Sequence, residues 1–435
     1  MKILVLTNLY PPHHAGTYDL RCQSVIEALR LRGHVALIVT SNHGLNNEQR
    51  DGEIHRRFLL NGAFGHPLIT AFREVQQFEE HNNRVLQDAI AELQPDLVHI
   101  WSLEGVSKSL IFALRNSRLP TVYDIADQWL AVELRQDPWL RWWNSPRTNL
   151  VRSGLELSGQ RNRLDAVAPT RMMKGYDRIP EVYGPPQAVA GVPPNSISAF
   201  RFDRLYFCSR ALKEVTEQAG YRVSHGEVIY PGVAAQQFVG EIKPPSAAFK
   251  KLLVVGRLHE QSGVMTAVEA LQQARQNKIP VSLSIYGRGE SDYISQVRSL
   301  AVRNALPVEF LTVSNQNRDL AAVYRQHDAL LYTAEWEEPF ALTPLEAMGC
   351  GLPVIGANIG GACELFRHGE NGLTYTARDA AELALRIQEL HTQPDLRCKM
   401  AETAQAEVLA KYNETTVVDQ IENYLSTSIE VWQQT

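Results

Sequence analysis

The sequence lacks the segments that mark membrane-spanning and exported proteins. No run approaches the roughly 20 apolar residues that a transmembrane helix needs. Residues 1–6 carry one positive charge, but their apolar run stops at Thr7 and is too short for the core of a signal peptide. We therefore expect a cytoplasmic protein, with peripheral contact to the inner face of the membrane as an alternative.

Cysteine pairs and a basic charge excess are also lacking. The five cysteines form no C-x-x-C pair, which favours a reducing compartment and argues against a disulfide framework or a zinc site; they are Cys22, Cys208, Cys350, Cys363 and Cys398. The formal net charge is −5. A nucleic-acid partner is not expected from such a balance.

Apolar runs and helical patterns alternate twice along the 435 residues. Predicted strands in the first half are residues 3–6, 35–39, 97–100 and 121–123, with helices after residue 18 and over 72–93. Predicted strands in the second half are residues 252–255, 281–286, 308–311, 329–332 and 353–355. Strand, helix and strand in succession predict parallel sheets, so the fold class is α/β with two doubly wound Rossmann-like domains. A polar, proline-containing stretch at 231–245 separates an N-terminal domain (1–235) from a C-terminal domain (236–412).

Residues 135–200 depart from this alternation and are rich in Trp, Arg and Pro. Nine basic and four acidic residues between 135 and 178 give a local charge of about +5. One interpretation is a helical cover with solvated arginines. The other is an insertion that closes over an acceptor, or a patch that docks on anionic lipid headgroups.

Two glutamates lie eight positions apart at 338 and 346, around two prolines. Thr343-Pro344-Leu345-Glu346 predicts a helix start, with Thr343 as the N-cap and Glu346 closing a capping box. In the simplest interpretation, capping is all that Glu346 does.

A second interpretation follows from where the loops lie, since ligands bind beyond the carboxyl ends of parallel strands. Arg257 suits bidentate contact with phosphate, and backbone amides over 341–345 at a helix N-terminus also favour an anion. Glu338 and Glu346 instead suit hydrogen bonds from hydroxyl groups. Anion binders beside hydroxyl acceptors predict a nucleotide-sugar site.

Glu338-x7-Glu346, followed by Ala-Met-Gly-Cys-Gly-Leu-Pro-Val, resembles the signature of the family 4 (GT4) retaining glycosyltransferases of the GT-B fold. Other matching pieces lie in the family's order: Asn8-Leu-Tyr-Pro-Pro12 with Gly16, Arg32-Gly-His34, Val255-Gly-Arg-Leu258, Gly360-Gly361 with Glu364, and Gly369-Glu-Asn-Gly-Leu373. The resemblance is specific over 250–375, clear over 1–40 and thin over 130–220. It implies two domains whose parallel sheets face an interdomain cleft, an acceptor site mainly on the first domain, and a final helix over 413–435 that packs back on that domain.

The resemblance also implies roles for single residues. Glu338 would face the donor sugar, Arg257 would contact the diphosphate, and Glu346 would hold the ribose hydroxyls. The remaining donor-binding positions are Gly16, Gly256, Ser262, Gly287, Phe340, Ala341, Leu342 and Thr343. No metal or other cofactor is expected, because arginine and helix amides can offset the charge of the leaving group.

Two departures from the family pattern bear on activity. The family has Arg-x4-Lys-Gly after the first strand of the second domain, whereas here the lysine position is Ser262. One of two diphosphate cations is thus absent unless Arg288 or another cation replaces it. Many members carry His before Asp near residue 126, whereas this chain has Ala126 before Asp127. Asp127 could contact the sugar or the acceptor, or simply cap its loop near Trp129.

The expected function is transfer of a sugar from a nucleoside diphosphate sugar, with UDP or GDP favoured, to a carbohydrate or lipid-linked acceptor, with retention through front-face attack and without a metal. The alternative is a non-catalytic GT-B protein that binds a nucleotide, a sugar or a partner subunit. A related phosphorylase or epimerase ranks lower, since no pyridoxal lysine site or carboxylate pair is evident. These motifs do not specify the sugar, the base, the acceptor or the oligomeric state.

Overall fold

The computed structural model describes residues 1–69, 71–130, 202, 204–311 and 320–434. The chain divides into two compact units. Unit 1 comprises Met1–Ile229 and Val418–Thr435, and unit 2 comprises Tyr230–Val417. The interpretations of residues 135–200 lie outside the described residues.

Unit 1 begins with strands and helices in alternation. Its described strands are β1 (Lys2–Thr7), β2 (Val35–Ser41), β3 (Gln49–Asp51), β4 (Ile54–Phe58), β5 (Leu97–Ser102), β6 (Thr121–Ile125), β7 (Arg204–Phe207) and β8 (Glu227–Val228). Its described helices before the chain enters unit 2 are α1 (Thr17–Leu31), α2 (Phe72–Leu93), α3 (Ser109–Ser117) and α4 (Arg210–Gln218).

These strands form one sheet in the order β3-β4-β2-β1-β5-β6-β7-β8. Every neighbouring pair is parallel except β3 and β4, which are antiparallel. The order of connection reverses between β1 and β5, and this reversal is the switch point of a doubly wound sheet. Both faces are covered, so residues 3–6 of β1 are fully buried.

Unit 2 repeats the plan with shorter strands. Its described strands are β9 (Lys251–Val255), β10 (Ser282–Tyr286), β11 (Val308–Leu311), β12 (Ala329–Tyr332), β13 (Val354–Ala357) and β14 (Leu373–Tyr375). Its described helices are α5 (Ala235–Phe238), α6 (Val264–Gln276), α7 (Ser291–Arg303), α8 (Leu320–Arg325), α9 (Leu342–Gly349), α10 (Ala380–Thr392) and α11 (Pro394–Lys411). A last helix, α12 (Glu414–Gln433), begins in unit 2 and continues into unit 1.

The sheet of unit 2 has the order β11-β10-β9-β12-β13-β14, and all its neighbouring strands are parallel. This is the order of a nucleotide-binding doubly wound sheet, and its switch point lies between β9 and β12. The carboxyl ends of these two strands therefore define the edge where a ligand would bind.

The predicted strands of both sheets are confirmed, as is the helix over Phe72–Leu93. Within α1, Leu20 is 43% exposed and Cys22 is buried, because a Cys can fill an inward position as a small hydrophobic residue.

Candidate functional site

The loops after β9 and β10 stay paired beyond the ends of their strands. The Gly256 amide donates to the carbonyl of Tyr286 at 3.1 Å, and the Leu258 amide donates to the carbonyl of Arg288 at 2.9 Å. The Glu290 amide returns a hydrogen bond to the carbonyl of Leu258 at 2.9 Å. The two loops thus form a short parallel ladder at the carboxyl edge of the sheet.

Two glycines permit this close approach. A Cβ at Gly287 would lie 1.9 Å from the carbonyl oxygen of Gly256, and a Cβ at Gly289 would lie 1.8 Å from that of Leu258. Any larger residue at either position would push the loops apart. The predicted donor residues Gly256 and Gly287 are therefore brought together, and Arg257 is held at the exposed edge beside them.

Ser262 lies in a short 3-10 turn over Glu260–Ser262 that precedes α6. Its hydroxyl donates to the carbonyl of His259 at 2.5 Å and accepts from the His259 amide at 3.3 Å. Its carbonyl accepts from the hydroxyl of Thr333, 2.7 Å away in the loop after β12. The hydroxyl of Ser262 therefore closes its own turn.

The loop after β12 is packed against the glycine pair that the sequence analysis singled out. A Cβ at Gly361 would lie 2.1 Å from the carbonyl oxygen of Pro339. The Gly361 amide donates to the carbonyl of Glu338 at 2.9 Å. The glycines thus fix the backbone that carries Glu338 and Phe340.

Glu338 is held by a tyrosine. The hydroxyl of Tyr332, the last residue of β12, donates to Oε2 of Glu338 at 2.5 Å. Burial raises the pKa of Glu338, and the hydrogen bond from Tyr332 acts in the opposite direction. The carboxylate of Glu338 is therefore held in place by the last residue of β12, the strand that precedes its loop.

Glu346 has an equivalent partner on a different element. The hydroxyl of Tyr324, a fully buried residue of α8, donates to Oε2 of Glu346 at 2.7 Å. Burial raises the pKa of Glu346 to about 7, although the hydrogen bond from Tyr324 lowers it. Each glutamate of the motif is thus held by a hydrogen bond from one tyrosine. These two hydrogen bonds were not predicted from the sequence, and the separation of 22 residues between Tyr324 and Glu346 gives no sign of theirs.

The predicted capping box at the start of α9 is wrong. The N-cap is Ala341, no side chain accepts a hydrogen bond there, and Thr343 lies within the helix. Pro344 fits in the first turn because the amides of that turn have no partner within a helix. The N-terminus of α9 therefore presents the amides of Leu342 and Thr343 without a side-chain cap.

An aromatic cluster lies behind the same loop. The ring of Phe340 lies 5.5 Å from that of Tyr230 and 6.3 Å from that of Tyr412. The Tyr230 hydroxyl donates to Oε2 of Glu364 at 2.8 Å. Phe340 is thus buried against the start and the end of the unit 2 chain, and its side chain serves packing.

In unit 1, Gly16 is the N-cap of α1 and has an extended φ of −160°. A Cβ placed there would meet nothing within 4 Å. The amides of Ala15 and Gly16 donate to Oδ2 of Asp19 at 2.9 and 3.2 Å. The protein's own carboxylate therefore occupies the N-terminus of this helix.

Asp127 also has contacts within its own unit. Its Oδ1 accepts from the Trp129 amide at 2.7 Å, and its Oδ2 lies 3.5 Å from the hydroxyl of Ser102. These contacts are those of a loop cap. They leave the predicted contact of Asp127 with sugar or acceptor as a prediction.

A buried polar cluster in unit 1 was not anticipated from the sequence. Arg21 forms an ion pair with Asp124 at 3.0 Å, and their side chains are 7% and 0% exposed. The Tyr206 hydroxyl lies 2.9 Å from Nε2 of His99, and burial beside Arg21 lowers the pKa of His99 to about 3. Arg21 also lies 4.9 Å over the ring of Trp101. The cluster is internal to unit 1 and links α1 to the sheet.

Two features are absent from the residues that the structure describes. Among them, no three His, Cys, Asp or Glu side chains are arranged so that they could hold a metal ion. None of their helices combines the length and the apolar character needed to cross a bilayer.

Solved structures share this architecture over nearly the whole chain. HepE of Anabaena in complex with UDP is 22% identical, with a TM-score of 0.66 over 98% of this chain and 100% of that chain. Sucrose-phosphate synthase of Thermosynechococcus elongatus is 15% identical, with a TM-score of 0.69 over 99% of both chains. The two doubly wound units define the GT-B class of fold, as predicted.

Residues 241–407 match the model of the family described as glycosyl transferases group 1. Over these residues the chain is similar to this family, and the resemblance to GT4-type glycosyltransferases is confirmed. Glycogen synthase of Mycobacterium tuberculosis is 31% identical over 218 residues, which are 49% of this chain and 52% of that protein. An uncharacterized glycosyltransferase of Methanocaldococcus jannaschii is 22% identical over 99% of both chains. The chain thus spans about half the length of the curated relative that it matches at 31% identity.

Proposed function

We propose that this protein is a retaining glycosyltransferase that moves a sugar from a nucleoside diphosphate sugar to a hydroxyl group of an acceptor. The observation that carries the proposal is the composition of the unit 2 switch point. An exposed arginine, Arg257, and an uncapped helix N-terminus lie on the loops after β9 and β12. The same β12 loop and helix carry two oriented carboxylates, Glu338 and Glu346.

Each part of the donor has a counterpart in this set. The diphosphate is bound by Arg257 and by the amides of Leu342 and Thr343, because arginine and helix amides favour anions. Glu346 accepts hydrogen bonds from the ribose hydroxyls, and Glu338 accepts them from the donor sugar. Gly16 has space for a ligand to approach its backbone.

The chemistry requires little from the protein beyond position and charge. The bond between the anomeric carbon and the phosphate oxygen breaks, and the acceptor hydroxyl attacks from the same face of the sugar. The departing phosphate takes the hydroxyl proton. Arg257 and the helix amides stabilise the charge that develops on the phosphate, a role that in other enzymes is performed by a metal.

UDP is the first nucleotide to test, and GDP is the second. HepE was crystallised with UDP and with UDP-glucose, and its fold matches this chain throughout. The acceptor is a carbohydrate or a lipid-linked carbohydrate bound mainly by unit 1, with transfer on the cytoplasmic side of the membrane. Asp127 contacts sugar or acceptor in this proposal.

A non-catalytic GT-B protein is the second candidate, favoured by Ser262 and Ala126, which stand where the family pattern has Lys and His. The hydroxyl of Ser262 closes a turn and cannot supply the missing charge. The two candidates differ in turnover but not in nucleotide binding.

Calorimetric titration and sugar-release assays against UDP-, GDP-, ADP- and dTDP-sugars test the proposal. We expect binding of one nucleotide series and slow release of sugar from the matching donor. Binding without turnover, even with oligosaccharide and lipid-linked acceptors present, would favour the non-catalytic candidate. Failure to bind any nucleoside diphosphate would contradict both.

A further inference from the structure

The ladder at the edge of unit 2 places two arginines in register. Leu258 pairs with Gly289 as a parallel bridge, so the residues that precede them, Arg257 and Arg288, are neighbours across the two loops. Adjacent strands lie about 5 Å apart. Side chains alternate along each extended segment, so Arg257 and Arg288 project from the same face of the ladder. Both residues are exposed.

Two glycines keep the loops that carry Arg257 and Arg288 close together. Arg288 lies between Gly287 and Gly289, and both glycines are packed directly on the backbone around Arg257. An anion with two charged groups suits two arginines held side by side, because each guanidinium could bind one phosphate.

The family pattern has a second cation for the diphosphate besides the arginine at position 257. Ser262 stands where the family pattern has lysine, and its hydroxyl is committed to the turn that precedes α6. We propose that Arg288 is the second cation for the donor diphosphate and takes over the charge that Ser262 cannot supply. This inference rests on the proposed function and adds a specific binding residue to it.

The test uses Arg288→Ala, Arg288→Lys and, as a matched control, Arg303→Ala. Arg303 is also an exposed arginine of unit 2, in the last turn of α7. Affinities are measured by calorimetry for UDP, UMP and uridine, or for the same series of whichever base the wild type binds. Because a charge-assisted hydrogen bond is lost, Arg288→Ala weakens UDP binding by about tenfold to a hundredfold.

The pattern across ligands separates a diphosphate contact from general damage. Uridine affinity is expected to remain the same in Arg288→Ala, and Arg303→Ala is expected to match the wild type for all three ligands. Arg288→Lys retains part of the affinity because it keeps the charge and loses the planar fork. Adding Ser262→Lys to Arg288→Ala restores UDP affinity at least in part, since it returns a cation to the family's position.

Three outcomes overturn the inference. If Arg288→Ala binds UDP as the wild type does, Arg288 is not a diphosphate residue, although the proposed function stands. If it weakens UDP and uridine equally, the effect lies outside the diphosphate. If the wild type binds no nucleoside diphosphate, the proposed function fails and the inference fails with it.

Discussion

Units 1 and 2 share a doubly wound topology but treat the polar groups at their switch points in opposite ways. In unit 1, the N-terminus of α1 is occupied by Asp19, and the Arg21–Asp124 pair is buried. In unit 2, the N-terminus of α9 has no side-chain cap, and Arg257 is exposed beside it. In the proposed function, topology provides the place for a ligand in both units, and the exposed Arg257 and the uncapped helix N-terminus make unit 2 the one that binds the anion.

The largest expected effect is a difference in stability between substitutions of Arg21 in unit 1 and Arg257 in unit 2. Arg21→Met leaves Asp124 buried without its partner, so we expect the free energy of unfolding of unit 1 to fall by about 3–5 kcal/mol. Arg257→Met changes stability by less than about 0.5 kcal/mol because the side chain is exposed, yet it abolishes tight nucleotide binding. Urea unfolding followed by amide hydrogen exchange in β5 and β9 measures the stability of unit 1 and of unit 2 in each variant. Equal destabilisation by the two variants would contradict the comparison.

The second effect concerns two glycines. Gly361→Ala forces a Cβ against the carbonyl of Pro339, so we expect a loss of about 1–3 kcal/mol in the stability of unit 2 and weaker donor binding. Gly16→Ala has open space and an extended backbone, so its cost in stability is below about 1 kcal/mol.

Sugar release measured in parallel makes Gly16 informative. A reduced rate in Gly16→Ala with unchanged melting temperature supports close approach of the donor to this backbone. A normal rate would remove Gly16 from the donor site.

The third effect is that ionisation of Glu346 lowers the stability of the fold and strengthens nucleotide binding. Burial raises the pKa of Glu346 to about 7, above its ordinary value, so the folded protein favours the protonated form. The stability that this group contributes is present at pH below its unfolded pKa and is lost as the pH rises through about 7. We therefore expect Glu346→Gln to be more stable than the wild type at pH 8 and equal to it near pH 4.

Nucleotide binding should change in the opposite direction. The ionised carboxylate accepts from ribose hydroxyls, so wild-type affinity rises as the pH increases through about 7, and Glu346→Gln binds about tenfold more weakly at pH 8. Thermal melts and titrations across this pH range provide both readouts. An affinity that is independent of pH and unchanged in the variant would refute the ribose role.

The smallest effect comes from the tyrosine behind Glu346. Tyr324→Phe removes a hydrogen bond that lowers the pKa of Glu346, so the midpoint of the pH-dependent affinity moves upward and UDP binds about two- to tenfold more weakly at pH 7. Tyr332→Phe is the matched control, because its hydroxyl holds Glu338 instead. We expect that control to alter turnover and to leave the midpoint for nucleotide binding in place.

Periodicity and motif spacing were sufficient for the architecture of both units. Apolar runs predicted β1, β2, β9 and β12, because buried parallel strands are continuous hydrophobic segments. The strand β4 was missed because its sequence, Ile-His-Arg-Arg-Phe, is polar. Its Arg56 is buried, and the guanidinium donates to the carbonyl of Tyr10 at 2.8 Å and to that of Pro11.

The candidate site residues could be predicted from the sequence, but the side chains that hold them in place could not. Arg257, Glu338 and Glu346 could be selected from their chemistry and from the loops that carry them. The hydrogen bonds from Tyr324 and Tyr332 could not, because they depend on how α8 and β12 pack beneath the loop. The cap of α9 was misassigned because Thr343 is a good N-cap in isolation, while the observed N-cap, Ala341, lies two residues earlier.

The most direct measurement is a crystal structure of the protein with its best-binding nucleoside diphosphate sugar. We predict that both phosphates lie within hydrogen-bond distance of the Arg257 guanidinium and the amides of Leu342 and Thr343, with the ribose hydroxyls on Glu346. A diphosphate bound at any place away from the carboxyl ends of β9 and β12 would contradict the central claim.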